Sequence, residues 1–324
     1  MKNFILTIMI TISSISFADE KRLSQGQKTY AAKKAVLITG ATSGLGLAMA
    51  EKLAAEGFYV FAGARKQKDI DTLNKKTNMQ GIRLDVTIQA DIDAAVKTVE
   101  QAGMGLYGLI NNAGVTVMEP LIEVSEKDMQ FQMDVNVFGP YRVTKAFAPL
   151  IIKSEGRIAS VSSILGVTAG GITGPYSMSK HAVEAFSDAL AAEMKKLNVQ
   201  VSVIEPGNYR SEIIKTMRNR MEKDGQANKN SLFIEEQERL KQFIPADRSG
   251  FKKPDEIALA ALDIMTAETV KRRYLVAPSK RESDMAIRGA LRRIVQLNQN
   301  HPYSLTTDEM KTMMDDLISP PAAK

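Results

Sequence analysis

The chain has 324 residues, with 43 Lys+Arg against 37 Asp+Glu, a formal net charge of +6, and 44% hydrophobic residues. That length suits one large α/β domain or two small ones, and the apolar fraction is that of a chain that buries a core rather than a disordered one. Cysteine is absent and the two histidines are His181 and His301, which excludes thiol nucleophiles, disulfides, Fe–S clusters and a three-histidine metal site. The only long apolar run is at the N-terminus, so a polytopic membrane protein is excluded. Acids are interspersed with bases, so the surplus charge reads as a solvated surface, not as a nucleic-acid footprint.

Met1-Lys2-Asn3 is a short basic start, residues 4–17 are uncharged and mostly apolar, and Ser16 and Ala18 put small residues at −3 and −1 before Asp19. This is the layout of a secretory signal peptide over residues 1–18. As a helix the apolar stretch rises about 21 Å against a hydrocarbon core of ~30 Å, which favours a cleaved signal and an exported, periplasmic protein over a short anchor or a cytoplasmic one. Residues 19–34 are polar and read as a linker.

From Ala35 short apolar strands alternate with amphipathic helices. Residues 35–39 form the first strand. Leu45, Met49 and Leu53 recur every four residues on a helix that Gly57 stops. Strands follow at 59–62 and 82–86. Thr87 is a plausible cap for a helix with Ile92, Ala95, Val96 and Val99 on one face. A fourth strand at 107–110, a helix around 131–150, a fifth strand at 157–162, a long helix at 176–197, a sixth strand at 199–204, a helix at 255–266 and a short strand at 274–276 complete the pattern. Repeated β-α-β units predict a Rossmann-type α/β fold, a doubly wound parallel sheet with helices on both faces.

Residues 209–251 break this rhythm. Ile213, Met217 and Met221 lie four apart, and Phe233, Leu240 and Ile244 suggest a second short helix. A cap over an active site and a surface insertion unrelated to substrate both fit this pattern. Residues 281–324 form a C-terminal extension whose basic helix carries Arg288, Arg292 and Arg293 beside Ile287, Leu291 and Ile294, and is expected to pack on the domain edge.

The octet Thr39-Gly40-Ala41-Thr42-Ser43-Gly44-Leu45-Gly46 joins the first strand to the first helix. Glycines there let the main chain turn sharply and approach a pyrophosphate resting on a helix N-terminus. Tyr176 and Lys180 are four apart and so share a helix face. Bringing a tyrosine from a pKa of about 10 to about 7 takes roughly 4 kcal/mol, which a nearby ammonium and a positively charged nicotinamide can supply. Tyr176 would then serve as general acid in reduction and general base in oxidation.

The octet, Asn111-Asn112-Ala113-Gly114, Val135-Asn136-Val137, Ser162-Ser163, Tyr176-Ser177-Met178-Ser179-Lys180 and Pro206-Gly207, in that order over residues 34–277, resemble the classical short-chain dehydrogenase/reductase family. Glu205-Pro206-Gly207-Asn208-Tyr209 and Val183-Glu184-Ala185-Phe186-Ser187-Asp188 look like its retinol, hydroxysteroid and 3-hydroxybutyrate dehydrogenase branch. The resemblance implies a dinucleotide-binding catalytic domain over residues 35–280. It implies catalysis by Asn136, Ser163, Tyr176 and Lys180, with Ser163 rather than Ser162 holding the substrate oxygen, Lys180 also binding the ribose, and Asn136 holding a relay water. Gly40, Thr42, Ser43, Gly44, Leu45, Gly46, Asp85, Val86, Asn112, Ala113, Gly114, Pro206 and Gly207 would contact the cofactor, with Asp85 at the adenine. The second strand ends in Gly63-Ala64-Arg65-Lys66 with no acid, so Arg65 favours NADP over NAD by offering its fork to a 2′-phosphate.

The implied function is NADP(H)-linked interconversion of an alcohol and a ketone or aldehyde on a hydrophobic small molecule. An NAD-linked 3-hydroxyacid or hydroxysteroid dehydrogenase and a non-catalytic dinucleotide sensor are the alternatives. The resemblance also implies a homodimer or homotetramer formed through the helices around 131–150 and 176–197, and allows association with a membrane surface. If residues 1–18 are a cleaved signal, N-terminal sequencing of protein from the native host reads from near Asp19. An intact N-terminus in the cytoplasm would refute export.

Overall fold

The computed structural model describes residues 34–223, 230–245 and 247–319; the signal-peptide expectation and all of the linker but Lys34 lie outside them. The strands are β1 (Ala35–Ile38), β2 (Tyr59–Ala64), β3 (Met79–Arg83), β4 (Gly108–Asn111), β5 (Arg157–Val161), β6 (Gln200–Pro206) and β7 (Arg273–Val276). They form one seven-stranded sheet in the order β3-β2-β1-β4-β5-β6-β7, every pair parallel. Alternate residues of β1 serve opposite faces. Val36 and Ile38 join one core with Met49 and Leu53 of α1 (Gly44–Ala55) and Ile257, Ala261 and Ile264 of α9 (Asp255–Thr266). Ala35 and Leu37 join the other with Ile92 and Val99 of α3 (Gln89–Gln101) and Val143, Phe147 and Ile151 of α5 (Gly139–Lys153). Covering both faces is why these strands read as continuous apolar runs. The doubly wound fold expected from the sequence is present.

Three local expectations shift. β3 begins three residues earlier than the apolar run at 82–86, because Met79–Arg83 is the segment in register with Val60–Ala64. The end of that run turns away, since the Asp85 carboxylate accepts from the Thr87 N–H at 3.0 Å and the Thr87 hydroxyl at 2.7 Å. Thr87 therefore closes an Asx turn instead of capping α3, whose N-cap is Ile88. The helix expected around 131–150 is two helices, α4 (Glu126–Met133) and α5, joined by a wide turn over Asp134–Phe138. Pro140 has no N–H to give the Asn136 carbonyl, so the regular helical ladder cannot pass this point and the turn widens. α2 is Gln67–Leu73 and α6 is Gly174–Met194.

The insertion holds α7 (Ile213–Lys223) and α8 (Ile234–Phe243). Ile214, Met217 and Ile244 are buried together and pack on Met118, which follows β4; the Met221 side chain lies outside the described residues. The Arg218 guanidinium donates to the carbonyls of Lys241 at 3.0 Å and Ile244 at 3.1 Å, tying α7 to α8.

The C-terminal extension forms α10 (Lys280–Leu297) and α11 (Thr307–Ile318). α10 does not dock through Ile287, Leu291 and Ile294, which are all exposed; its inner face is Ala286 and Gly289. Small residues bring its backbone against Thr168, in the loop after β5, and sequence periodicity had no way to single them out. No helix of the described residues is long and apolar enough to cross a membrane. A Cβ on Gly289 would collide with the Thr168 methyl, whose rotamer is held by a 2.8 Å bond from its hydroxyl to the Ile164 carbonyl. Gly289→Ala is therefore expected to cost about 1–3 kcal/mol as overpacking, read as a lowered thermal midpoint. An unchanged midpoint would show that this contact yields freely.

Candidate active site

The loop after β1 is shaped for close approach. Gly40 has φ +64°, and a Cβ there would lie 2.9 Å from Ala113 Cα, so the ends of β1 and β4 nearly touch. A Cβ on Gly46 would collide with the Gly40 carbonyl and the Asn112 amide. Ser43 is the N-cap of α1, yet its side chain makes no capping bond, and the first turn holds no acid. The N-terminal N–H groups of α1 are thus left for an outside anion, which the helix dipole favours. Across the loop, Ser211 comes within van der Waals reach of Gly44: a Cβ on that glycine would be 3.3 Å from Ser211 Cβ. A cradle of this shape and polarity fits a dinucleotide pyrophosphate.

Thr39 pins the two strand ends. Its hydroxyl accepts from the N–H of Asn112 at 3.0 Å and of Ala113 at 2.9 Å. The Asn112 amide returns donors to the carbonyls of Thr39 and Gly40, at 2.9 and 3.0 Å. Gly114 follows beside Asn136 and Lys180: a Cβ on it would be 3.4 Å from Asn136 Oδ1 and 3.8 Å from Lys180 Nζ. Asn136, 1% exposed, spends its amide on the fold. Its Oδ1 accepts from Val115 N–H at 2.8 Å, and its Nδ2 donates to the Val115 carbonyl at 2.9 Å and to Ser179 Oγ at 3.0 Å. Ser179 in turn donates to the Tyr176 carbonyl at 2.7 Å, and Gln132, fully buried, donates to the same serine. A water held at Asn136 would therefore have to use its main-chain carbonyl, because both side-chain donors are committed.

β5 and α6 bring Ser163, Tyr176 and Lys180 together. The two adjacent serines separate by role: Ser162 is turned to the Lys180 carbonyl, whereas the Ser163 hydroxyl accepts from the Leu165 N–H at 3.1 Å and lies near enough to the Tyr176 phenol to favour its ionised form. Lys180 is 5% exposed; its ammonium donates to the Val161 carbonyl at 2.8 Å and lies 5.6 Å from the centre of the Tyr176 ring. Burial pushes the Tyr176 hydroxyl up to about 12, with the Ser163 hydroxyl pulling the other way. Burial brings the lysine down to about 8, with the nearby Glu184 carboxylate opposing it. The protein by itself thus keeps the tyrosine neutral, and lowering its pKa toward 7 needs further positive charge.

The remaining expected residues sit at the same edge of the sheet. Arg65 is exposed just past β2, and its carbonyl accepts from the Arg83 guanidinium at 2.6 Å. Asp85 is part-buried in its turn, and the Val86 side chain is buried in the core, leaving only main chain to meet a ligand. Thr42 is part-buried, and Leu45 packs on the α1 core. Pro206 ends β6, and the Gly207 N–H donates to the Val276 carbonyl at 2.8 Å.

Four contributors escaped sequence reading: Thr39, Ser179, Ser211 and Glu282. The last reaches in from α10, where its carboxylate accepts from the Asn208 N–H at 2.6 Å. Thr39 alone carried a local signal, as the residue opening the octet.

A family model for short chain dehydrogenases matches residues 34–222. D-beta-hydroxybutyrate dehydrogenase, mitochondrial, of Bos taurus is 40% identical over 201 residues, covering 57% of this chain and 58% of that protein. The NADPH-dependent 3-dehydrocapnine reductase of Ornithobacterium rhinotracheale is 32% identical over 253 residues, 75% of this chain and 88% of the relative. A short chain dehydrogenase/reductase from Burkholderia phymatum, solved in complex with NAD, superposes with a TM-score of 0.69 at 26% identity, covering 84% of this chain and 98% of the other. The match thus spans under three fifths of the length of the bovine enzyme.

Replacing Thr39 by valine keeps the shape and removes the shared acceptor. Two part-buried N–H groups then lose their partner, at up to about 1 kcal/mol each. The expected result is lower thermal stability together with weaker dinucleotide binding by fluorescence titration; a valine variant equal to the parent in both would show the pin to be dispensable.

Proposed function

Because the chain belongs to the short chain dehydrogenase family, we propose that it interconverts an alcohol and a ketone or aldehyde with a nicotinamide dinucleotide, NADP(H) in preference to NAD(H). The observation that carries this reading is the convergence of Ser163, Tyr176 and Lys180 opposite an uncapped helix N-terminus. When bound, the nicotinamide gives or takes a hydride at the substrate carbon. Gly40, Ser43, Gly44 and Gly46 would hold the pyrophosphate, and Pro206 and Gly207 would line the nicotinamide end of the cleft. Ser163 holds the substrate oxygen beside Tyr176. In reduction the neutral Tyr176 hydroxyl gives its proton to that oxygen as the carbonyl becomes an alcohol; in oxidation the tyrosinate removes it. Lys180 favours the tyrosinate by charge and would bind the ribose. A water on the Asn136 carbonyl, which Pro140 cannot serve, returns the proton to solvent.

A hydrophobic substrate is supported by the apolar cluster of Met118, Ile214 and Met217 built where the insertion meets the segment after β4. Pairing with a second copy through α5 is supported by the exposed Phe138 and Tyr141. The preference for NADP(H) rests on Arg65, solvent-exposed at the end of β2 with no acid beside it.

Tyr176→Phe is expected to lower kcat by ~10²–10⁴ on a verified substrate while NADPH binding survives, and Lys180→Ala to damage both. Oxidation should accelerate as pH rises through the enzyme-bound tyrosine pKa and reduction should slow over the same range, since they need opposite protonation states. A Tyr176→Phe enzyme with near-normal kcat would end this mechanism. Separately, Arg65→Ala should weaken NADP(H) by about 1.5–3 kcal/mol, the scale of a charge-assisted contact, and leave NAD(H) nearly unchanged. Equal losses for both cofactors in calorimetry would overturn the preference.

A further inference from the structure

Behind Lys180 lies a pair of buried acids that the chemistry above does not use. Glu184 follows Lys180 by one helical turn and shares its face of α6. Glu205 is the β6 residue immediately before Pro206. They are 7% and 4% exposed. Both meet Arg273 of β7, whose Nε is 3.3 Å from Glu184 Oε2 and 3.4 Å from Glu205 Oε1. Two carboxylates gathered on one nitrogen atom are near neighbours of each other. Arg273 is also committed elsewhere, with a terminal nitrogen 2.7 Å from Asp188, which Arg272 holds as well at 2.9 Å. Neither oxygen of Glu184 nor Oε1 of Glu205 has a hydrogen-bond partner of ordinary geometry. Buried carboxylates left in that state are costly, and a proton held between them supplies the missing bond.

We propose that Glu184 and Glu205 share one proton and present a single negative charge one turn from Lys180, making Glu184 a positioning residue that keeps this lysine an ammonium ion. The inference rests on the reading of Lys180 as partner to Tyr176. The charged and polar groups around the pair are Lys180 and Asp188 from α6, Arg272 just before β7 and Arg273 at its start, and the Ser162 hydroxyl after β5. Burial and the neighbouring Glu184 push Glu205 up to about 7, against the pull of Arg273. Glu184 is the group that opposes the loss of the Lys180 proton.

Difference infrared spectroscopy of the full chain tests the shared proton without turnover. At pH 7 the parent protein should show a protonated-carboxyl C=O stretch that shifts in D2O. The band should vanish in Glu184→Gln and in Glu205→Gln alike, because a lone carboxyl beside Arg273 ionises. In kcat–pH profiles the alkaline limb should move down by about one unit in Glu184→Gln, by less in Glu205→Gln, and back toward the parent in Glu184→Asp. Should Glu184→Gln fail to fold, the spectrum of Glu205→Gln alone decides the shared proton. No such band in the parent, its survival in the double glutamine variant, or superimposable pH profiles with merely reduced stability would overturn the proposal. An active Tyr176→Phe enzyme with the band intact would instead remove the catalytic reading and leave the shared proton standing.

Discussion

A sheet whose strands all run the same way delivers all its carboxyl strand ends to one edge, and the candidate site of this chain is built on that constraint. Thr39 and Gly40 follow β1, Arg65 follows β2, Asp85 follows β3, Asn112 follows β4, Ser163 lies just past β5, and Gly207 follows β6. The order reverses between β1 and β4, so the chain leaves those two strands toward opposite faces and opens a crevice between them. The crevice would be wide and soft if its walls were loops alone. The Thr39 hydroxyl and the Asn112 amide close it with four hydrogen bonds, and only a glycine at position 40 lets the two strand ends come so near.

Burial then sets the electrostatics. Tyr176 and Lys180 are both pushed toward their neutral forms, one up and one down, because each loses water. A site that is neutral by default answers to charge brought into it. A cationic ring arriving beside the part-buried Tyr176 would be screened less than in open water, and the effect of one unit charge is correspondingly larger.

The sequence showed those features that local pattern determines. Continuous apolar runs located the strands, and the motifs placed Ser163 just past β5 and Tyr176 and Lys180 on α6. What it missed is non-local. β3 is set by register with β2 and not by its own apolar run. The break between α4 and α5 follows from one missing N–H at Pro140, which a helical stripe does not report. Ser179 is one of two serines inside the Y-x-x-x-K spacing, and only the arrival of Asn136 and Gln132 from another helix gives it a task. Ser211 and Glu282 become neighbours of the cleft solely through tertiary packing.

The turn after β6 shows where shared and private structure meet. Gly207 is tied to β7, Asn208 to Glu282 of α10 and to Arg248, Tyr209 to Arg248 through its carbonyl and to Glu256 of α9 through its hydroxyl. Apart from the turn itself, every one of these partners lies beyond residue 222, where the family match ends. Arg248 is 6% exposed, with its guanidinium stacked 3.6 Å from the centre of the Phe251 ring, so this grip is assembled in the protein interior, where charge–dipole contacts are strong and hard to replace. A core shared with the family therefore presents the candidate catalytic residues, while segments outside it hold one wall of the cleft. Changes in those segments can alter what fits against Ser163 and Tyr176 without touching either residue, which is how one fold comes to serve many substrates.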